Sequence, residues 1–455
     1  MEEEEIRQRE VEETRRREEG GGERDVTDEV PDNADGLETG LLEVADETAE
    51  GEDISEDVDE GVETAEALES LRIVVKNAAA NGGFDRHGAA TAKVALEGLY
   101  KRAGFNLKKI QAVPALESFG GVSDRVRSTL ALEADIKQKL SNVWEAIKKA
   151  IQTAIDFVIG LYNKLFDKAT KLEARAKKVA EVAGKLSGTP KNKVFESKEL
   201  GQALVLGSAV PGDSAGAKRV LEVLNTVFKD YPSFVDTLDK AAGYVADQKA
   251  DAVMEVLEKG QISLGLEKIS NPSSAGFQVA DGAAVERSAE MPGGKALVLV
   301  LDASDPSKST GAIGDFNPKS PAQAPNGGKI PVLDTKEKII DMANVIAEIA
   351  AHVKNAKGLV GKATSAKKKL QSYCDKAAAK AGKGGADDAE GKENGAAVGG
   401  AASALRGVLA LIDKPFAAIN TYSLETGMRL LHQAEASVKE FGGKAEAAPA
   451  EGATA

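Results

Sequence analysis

The chain has 455 residues, room for roughly two or three domains. Its hydrophobic fraction is 42%, below the roughly 45–50% of typical globular chains, and aromatics make up only 4%. Any core is therefore built mainly from Ala, Val, Leu and Ile, and substantial tracts are left unfolded. One cysteine, Cys374, and three scattered histidines exclude an intramolecular disulfide and a Cys/His zinc cage. The net charge of −14 hides a division. Residues 1–69 carry 29 Asp/Glu against 6 Arg, a net of −23, which leaves 44 acidic and 53 basic groups, a net of +9, on residues 70–455. Opposite signs on two pieces of one chain mark an acidic tail joined to a separate basic body.

Residues 1–69 combine high charge with few large apolar groups and repeated Gly-Glu-Asp punctuation, as in EGEDISEDVDEG. Such a segment cannot bury enough surface to offset chain entropy, so it is expected to be a disordered acidic tail. Met1 is followed at once by Glu2 to Glu5, unlike a secretory signal. No uninterrupted apolar run reaches the ~18 residues that a spanning helix needs.

A helical body is expected over residues 70–258. Ala67–Ala79 and Ala89–Arg102 read as a helix pair joined by the turn-forming NGGFDRHG. After the Gly-rich break ESFGGVSDR, Ser123 or Asp124 is placed to cap a helical stretch through Leu140. Across Ser141–Leu186, Trp144, Ile147, Ile151, Ile155, Val158, Tyr162 and Leu165 recur at three- and four-residue steps on one face. Lys148, Lys149, Gln152, Asp156 and Asn163 take the other face, and KLEARAKKVAEVAGK continues the helix. The stripe supports two readings. Packed against neighbouring helices it is core, the favoured reading. Left open, it is a membrane-active face with Trp144, Phe157, Tyr162 and Phe166 as interfacial anchors.

Helices continue through Ala217–Phe228 and Ser233–Glu258. Residues 259–332 form the expected β-rich insertion and loop. Gln261–Leu266, Gly276–Val279 and Lys295–Leu301 read as a small antiparallel sheet, followed by a Pro-rich loop at 305–332. Residues 333–380 carry a long helix started by Asp334 or Thr335. A flexible linker follows at 381–400, then a C-terminal helical pair at 401–441 broken near Pro415, and a disordered end at 442–455. The fold class is mainly α with a small β insertion.

No catalytic residue, cofactor or metal is expected. GLVGKATS (Gly358–Ser365) has the Gly-Lys pair of a phosphate loop. However, Ala356 stands where its first Gly is required and Ala363 where its hydroxyl is required. His87, His352 and His432 have no nucleophile signature beside them. Cys374 reads as a packed thiol.

The stretch ALESLRIVVKNAAANGGFDRHGAATAKVALEGLYKRAGF, followed by ALESFGGVSDRVRSTLALEADIKQKLSNVWEAIKKAI and KLFDKATKLEARAKKV, resembles the internal head proteins of large tailed bacteriophages. The ordered series is Glu117–Gly121, Asp124–Arg125, Ser128–Glu133, Val143–Ile159 with its single Trp, and Lys171–Ala176. Pro292–Gly294 before a hydrophobic strand adds to it. The likeness covers mainly residues 67–186. It implies a virion component held inside the phage head with the genome and present in the host cytoplasm during assembly. It also implies an N-terminal propeptide, removed by a prohead protease that cuts after Glu in Leu/Ile-x-Glu or Ala/Ser-x-Glu contexts. The tail offers Glu43, Glu56 and Glu69 in such contexts, and Glu69 stands where the tail is expected to give way to helix. Ala115-Leu116-Glu117 matches as well, inside the segment that should survive. Expected partners are capsid or other head proteins and the protease, with weak, sequence-independent DNA contact. The alternatives are a membrane-active or host-directed effector delivered with the genome, and a helical adaptor with no viral link.

Overall fold

A computed structural model describes residues 60–102 apart from 62 and 66, and residues 121–246, 263–302, 308–323, 328–383 and 391–441. All of these lie in one compact unit, Thr39–Ala455. The fold is mainly α with a small antiparallel sheet. Of the acidic tail, residues 1–59 lie outside the described residues, as do 442–455 at the other end.

The expected hairpin is present. Helix α1 covers residues 67–80, with helical turns ahead of it at 60–61 and 63–65, and α2 is Arg86–Arg102. The turn between them uses Gly82 and Gly83 at positive φ. Next comes α3, Val122–Gly184, one uninterrupted helix of 63 residues and so roughly 95 Å long. Its N-cap is Gly121, with no side-chain cap bond, so Ser123 and Asp124 lie inside the first turn instead of capping it.

After α3 the chain makes a short strand β1 (Val194–Glu196), helix α4 (Lys198–Leu204) and helix α5 (Ala215–Ala246). The two helical stretches expected here are one helix as far as Ala246, since α5 runs through Pro232. Proline deletes one backbone bond there, but Tyr231 and Phe234 on either side are fully buried and hold the helix in register. Strand β2 (Glu267–Ile269), the one-turn helix α6 (Pro272–Ala275), β3 (Ala284–Arg287), β4 (Lys295–Leu301) and β5 (Thr310–Asp315) follow.

These strands form an antiparallel sheet in the order β2-β3-β4-β5, with Val285 opposite Val300 and Val298 opposite Ala312. Of the three expected strands, KALVLVL lies where it was placed, whereas Gln261–Leu266 begins outside the described residues and carries no strand over 263–266. Gly276 instead caps α6 in the left-handed region, so Phe277 and Val279 pack on the sheet from a loop. The region expected as pure loop holds β5 and β6 (Lys329–Pro331), and β6 pairs with the distant β1. Val285, Ala296 and Val298 form the core of one sheet face.

Thr335 caps α7 (Lys336–Asn355) by accepting the Lys338 N–H. The single helix expected from there ends early, because the chain turns at Ala356 before α8 (Lys357–Lys383). Helix α9 is Gly391–Glu440, so residues 391–400 of the expected linker are helical. The expected break near Pro415 is also absent. Ile412, Phe416 and Ile419 keep a continuous buried face there. The Pro415 ring packs so close to β5 that a Cβ on Gly311 would clash with it. Helices α3, α5, α7, α8 and α9 pack against one another, and the sheet lies on α9.

Candidate functional site

Three places bear on function: the acidic-tail boundary, the apolar stripe of α3, and a cleft beside the sheet. At the boundary, Glu43 and Glu56 lie outside the described residues. Glu69 sits on helix rather than at the edge of one, and only 5% of its surface is exposed. Arg72, one turn on, grips its carboxylate with two hydrogen bonds, the Nε one at 2.8 Å. Thr64, Ala65 and Leu68 are buried with it, so helical structure begins ahead of the expected limit. Ala67 to Ser70 is therefore an unsuitable substrate in this conformation, because a protease needs extended backbone.

The stripe is covered along its whole length. Trp144, Ile147, Ile151, Ile155, Val158 and Tyr162 are all buried. Helix α8 closes over the middle, where the Lys148 ammonium donates to Asp375 at 2.7 Å and the Gln371 amide to Gln152 at 3.0 Å. Further along, the Tyr162 hydroxyl donates to the Lys354 carbonyl at 2.6 Å, at the end of α7. Of the anchors named for the membrane reading, Trp144 and Tyr162 are buried, whereas Phe166 is exposed, as is Ile159. Among the described residues, no helix is long and apolar enough to cross a membrane.

The cleft, about 1180 Å³, lies between α4, the Pro292–Gly294 turn, β5 and α9. Its charges are Lys198, Glu199, Lys295, Asp315, Glu425 and Arg429, balanced in sign. Lys295 is paired with Asp315 at 2.7 Å. Burial raises the Glu425 carboxyl and, with the Arg429 guanidinium opposing, leaves it easier to protonate than a free glutamate. The Tyr422 hydroxyl donates to the Pro292 carbonyl, and burial pushes it up to about 12. These residues come from sequence segments far apart, and apart from the Pro-Gly-Gly turn nothing local marked them. The three histidines stay in separate helices, and His352 stacks edge-on with Phe228. Cys374 is buried and its thiol is pushed up to about 12 by desolvation, which suits a packing group and not a nucleophile. Among the described residues no acidic, His or Cys cluster has the makings of a metal site.

No curated protein and no solved structure matches the chain. A family model of phiKZ-like phage internal head proteins matches residues 30–436, reaching well beyond the segment whose motifs carried the resemblance. The chain belongs to the phiKZ-like phage internal head proteins.

Proposed function

We propose that this structural head protein is non-enzymatic, is packed beside the DNA, and is made as a precursor whose acidic N-terminal segment a prohead protease removes. Family membership over residues 30–436 carries the reading. The division of charge supports removal of the tail, since loss of residues 1–69 turns a chain of net −14 into a body of net +9. Packing of the α3 stripe against α7 and α8 favours the structural role over a membrane-active effector. Of the three candidate cuts, one after Glu56 or Glu43 leaves the helical turns at 60–65 in place. A cut after Glu69 requires those turns to open, or to be cut before they settle on α3.

N-terminal sequencing of the form found in purified heads tests the reading. The expected first residue is Ser70, Asp57 or Val44. Intact Met1 on most copies would overturn the processing.

A further inference from the structure

The turns ahead of α1 lie against α3, and two close approaches fix how. A Cβ on Gly61 would stand 3.0 Å from Ile147 Cγ1, and one on Gly83 would stand 2.6 Å from the Arg125 backbone. Gly61 to Gly83 and Arg125 to Ile147 are equal spans, so this segment runs antiparallel to the start of α3 with one residue matched to one. Interpolated between these two approaches, Thr64 falls near the level of Trp144 and Leu68 near that of Leu140. On one side Thr64, Ala65 and Leu68 are buried, and on the other Leu140, Val143, Trp144 and Ile147 are buried. From Gly83 onward the hairpin stays attached by other bonds. The Phe84 N–H donates to Thr129 Oγ1 at 3.2 Å, and the Tyr100 hydroxyl to Asp135 at 2.6 Å.

We infer that the described residues between 60 and 69 are a removable cover for the Leu140–Ile147 face of α3, and that cleavage after Glu69, once those turns have opened, leaves it uncovered. The inference rests on the processing proposed above and assigns it a consequence. Water adds across the Glu69–Ser70 peptide bond, leaving a carboxylate on the released segment and an ammonium on Ser70. Arg72 loses the carboxylate that grips it, which frees the new end. The remainder of α1, with α2, stays docked through Thr129 and Asp135, while the Trp144 level loses the side chains that faced it. Processing then changes the surface of the body as well as its charge.

Trp144 is the chain's one tryptophan, so its fluorescence reports this face alone. The full-length precursor and the processed form from heads are compared by emission wavelength and acrylamide quenching. The cover predicts a red shift and several-fold stronger quenching in a form that starts at Ser70. A form starting at Ser70 with Trp144 as shielded as in the precursor overturns it, and so does a processed form that retains residues 60–69. A second arm needs no processing. Leu68→Asp in the uncut chain should open Trp144 to quencher while α5 to α9 keep their helical signal. Unchanged quenching in that variant overturns the cover even if head processing is found, whereas intact Met1 in heads with an opened Leu68→Asp variant rejects only the processing and removal.

Discussion

Lys367 shows how much this fold asks of single polar residues. It is fully buried, and its ammonium pairs with Asp413 and donates to the Ala154 carbonyl at 3.2 Å, joining α8 to α9 and α3. Desolvation raises the Asp413 carboxyl, with Lys367 opposing. Removing one partner leaves the other charge in a poor environment, whereas replacing both by apolar groups of like size does not. Lys367→Met should cost about 3 kcal/mol in urea denaturation, and Lys367→Met with Asp413→Leu should recover most of it. Glu173 has the opposite tendency. Lys177 and Lys354 hold its carboxyl below the ordinary range, and Lys354 reaches it from α7 at 2.7 Å. Because the folded value lies below the unfolded one, this stabilisation is present above the unfolded value and is lost as pH falls through the folded one. Glu173→Gln should therefore melt earlier at neutral pH, by about 1 kcal/mol, and merge with the parent as the pH falls below the carboxylate range.

Among elements, α3 carries the central test. Ile155 is buried at the middle of the stripe, beside the point where Lys367 meets Ala154. Ile155→Asp puts an unpaired charge there and should cost several kcal/mol, enough to collapse the helical circular dichroism at a much lower temperature. A variant that melts like the parent but no longer binds liposomes would reverse the assignment of this face. Helices of this kind were legible because three- and four-residue spacing survives in any sequence that buries one side, as did the NGGFDRHG turn and the Thr335 cap. What escaped depends on partners distant in sequence. β1 pairs with β6 through Phe195 opposite Ile330, and three residues carry too little pattern to announce a strand. Pro232 and Pro415 look like breaks, and only the packing around them keeps the helices whole. β5 lies in the stretch read as a Pro-rich loop, yet Gly311 within it is required by the Pro415 ring. The cleft was invisible for the same reason, since its lining is assembled from segments far apart in sequence, from Lys198 on α4 to Arg429 on α9.

At the scale of the whole molecule, charge is the property that the proposed processing would change most. Basic groups exceed acidic ones by 9 on residues 70–455, and many are already paired, as Lys177 is with Glu173 and Lys185 with Glu181. A body so mildly basic offers few lysines to phosphates, so its DNA contact should be weak, indifferent to sequence and steeply dependent on salt. Residues 1–69 carry a net of −23 on the same chain, so in the proposed precursor they would compete with phosphates for those lysines. Its removal, as proposed, would take away that competitor without altering any lysine. Gel shifts of the precursor and the processed form on one duplex, repeated at rising salt, separate these effects. The processed form should bind more tightly at low salt, and its advantage should shrink as added ions screen tail and phosphates alike. Two different sequences should give the same curves. Equal affinity of precursor and processed form at low salt would show that the tail does not mask the body, and the charge division would then need a purpose other than timing the contact with DNA.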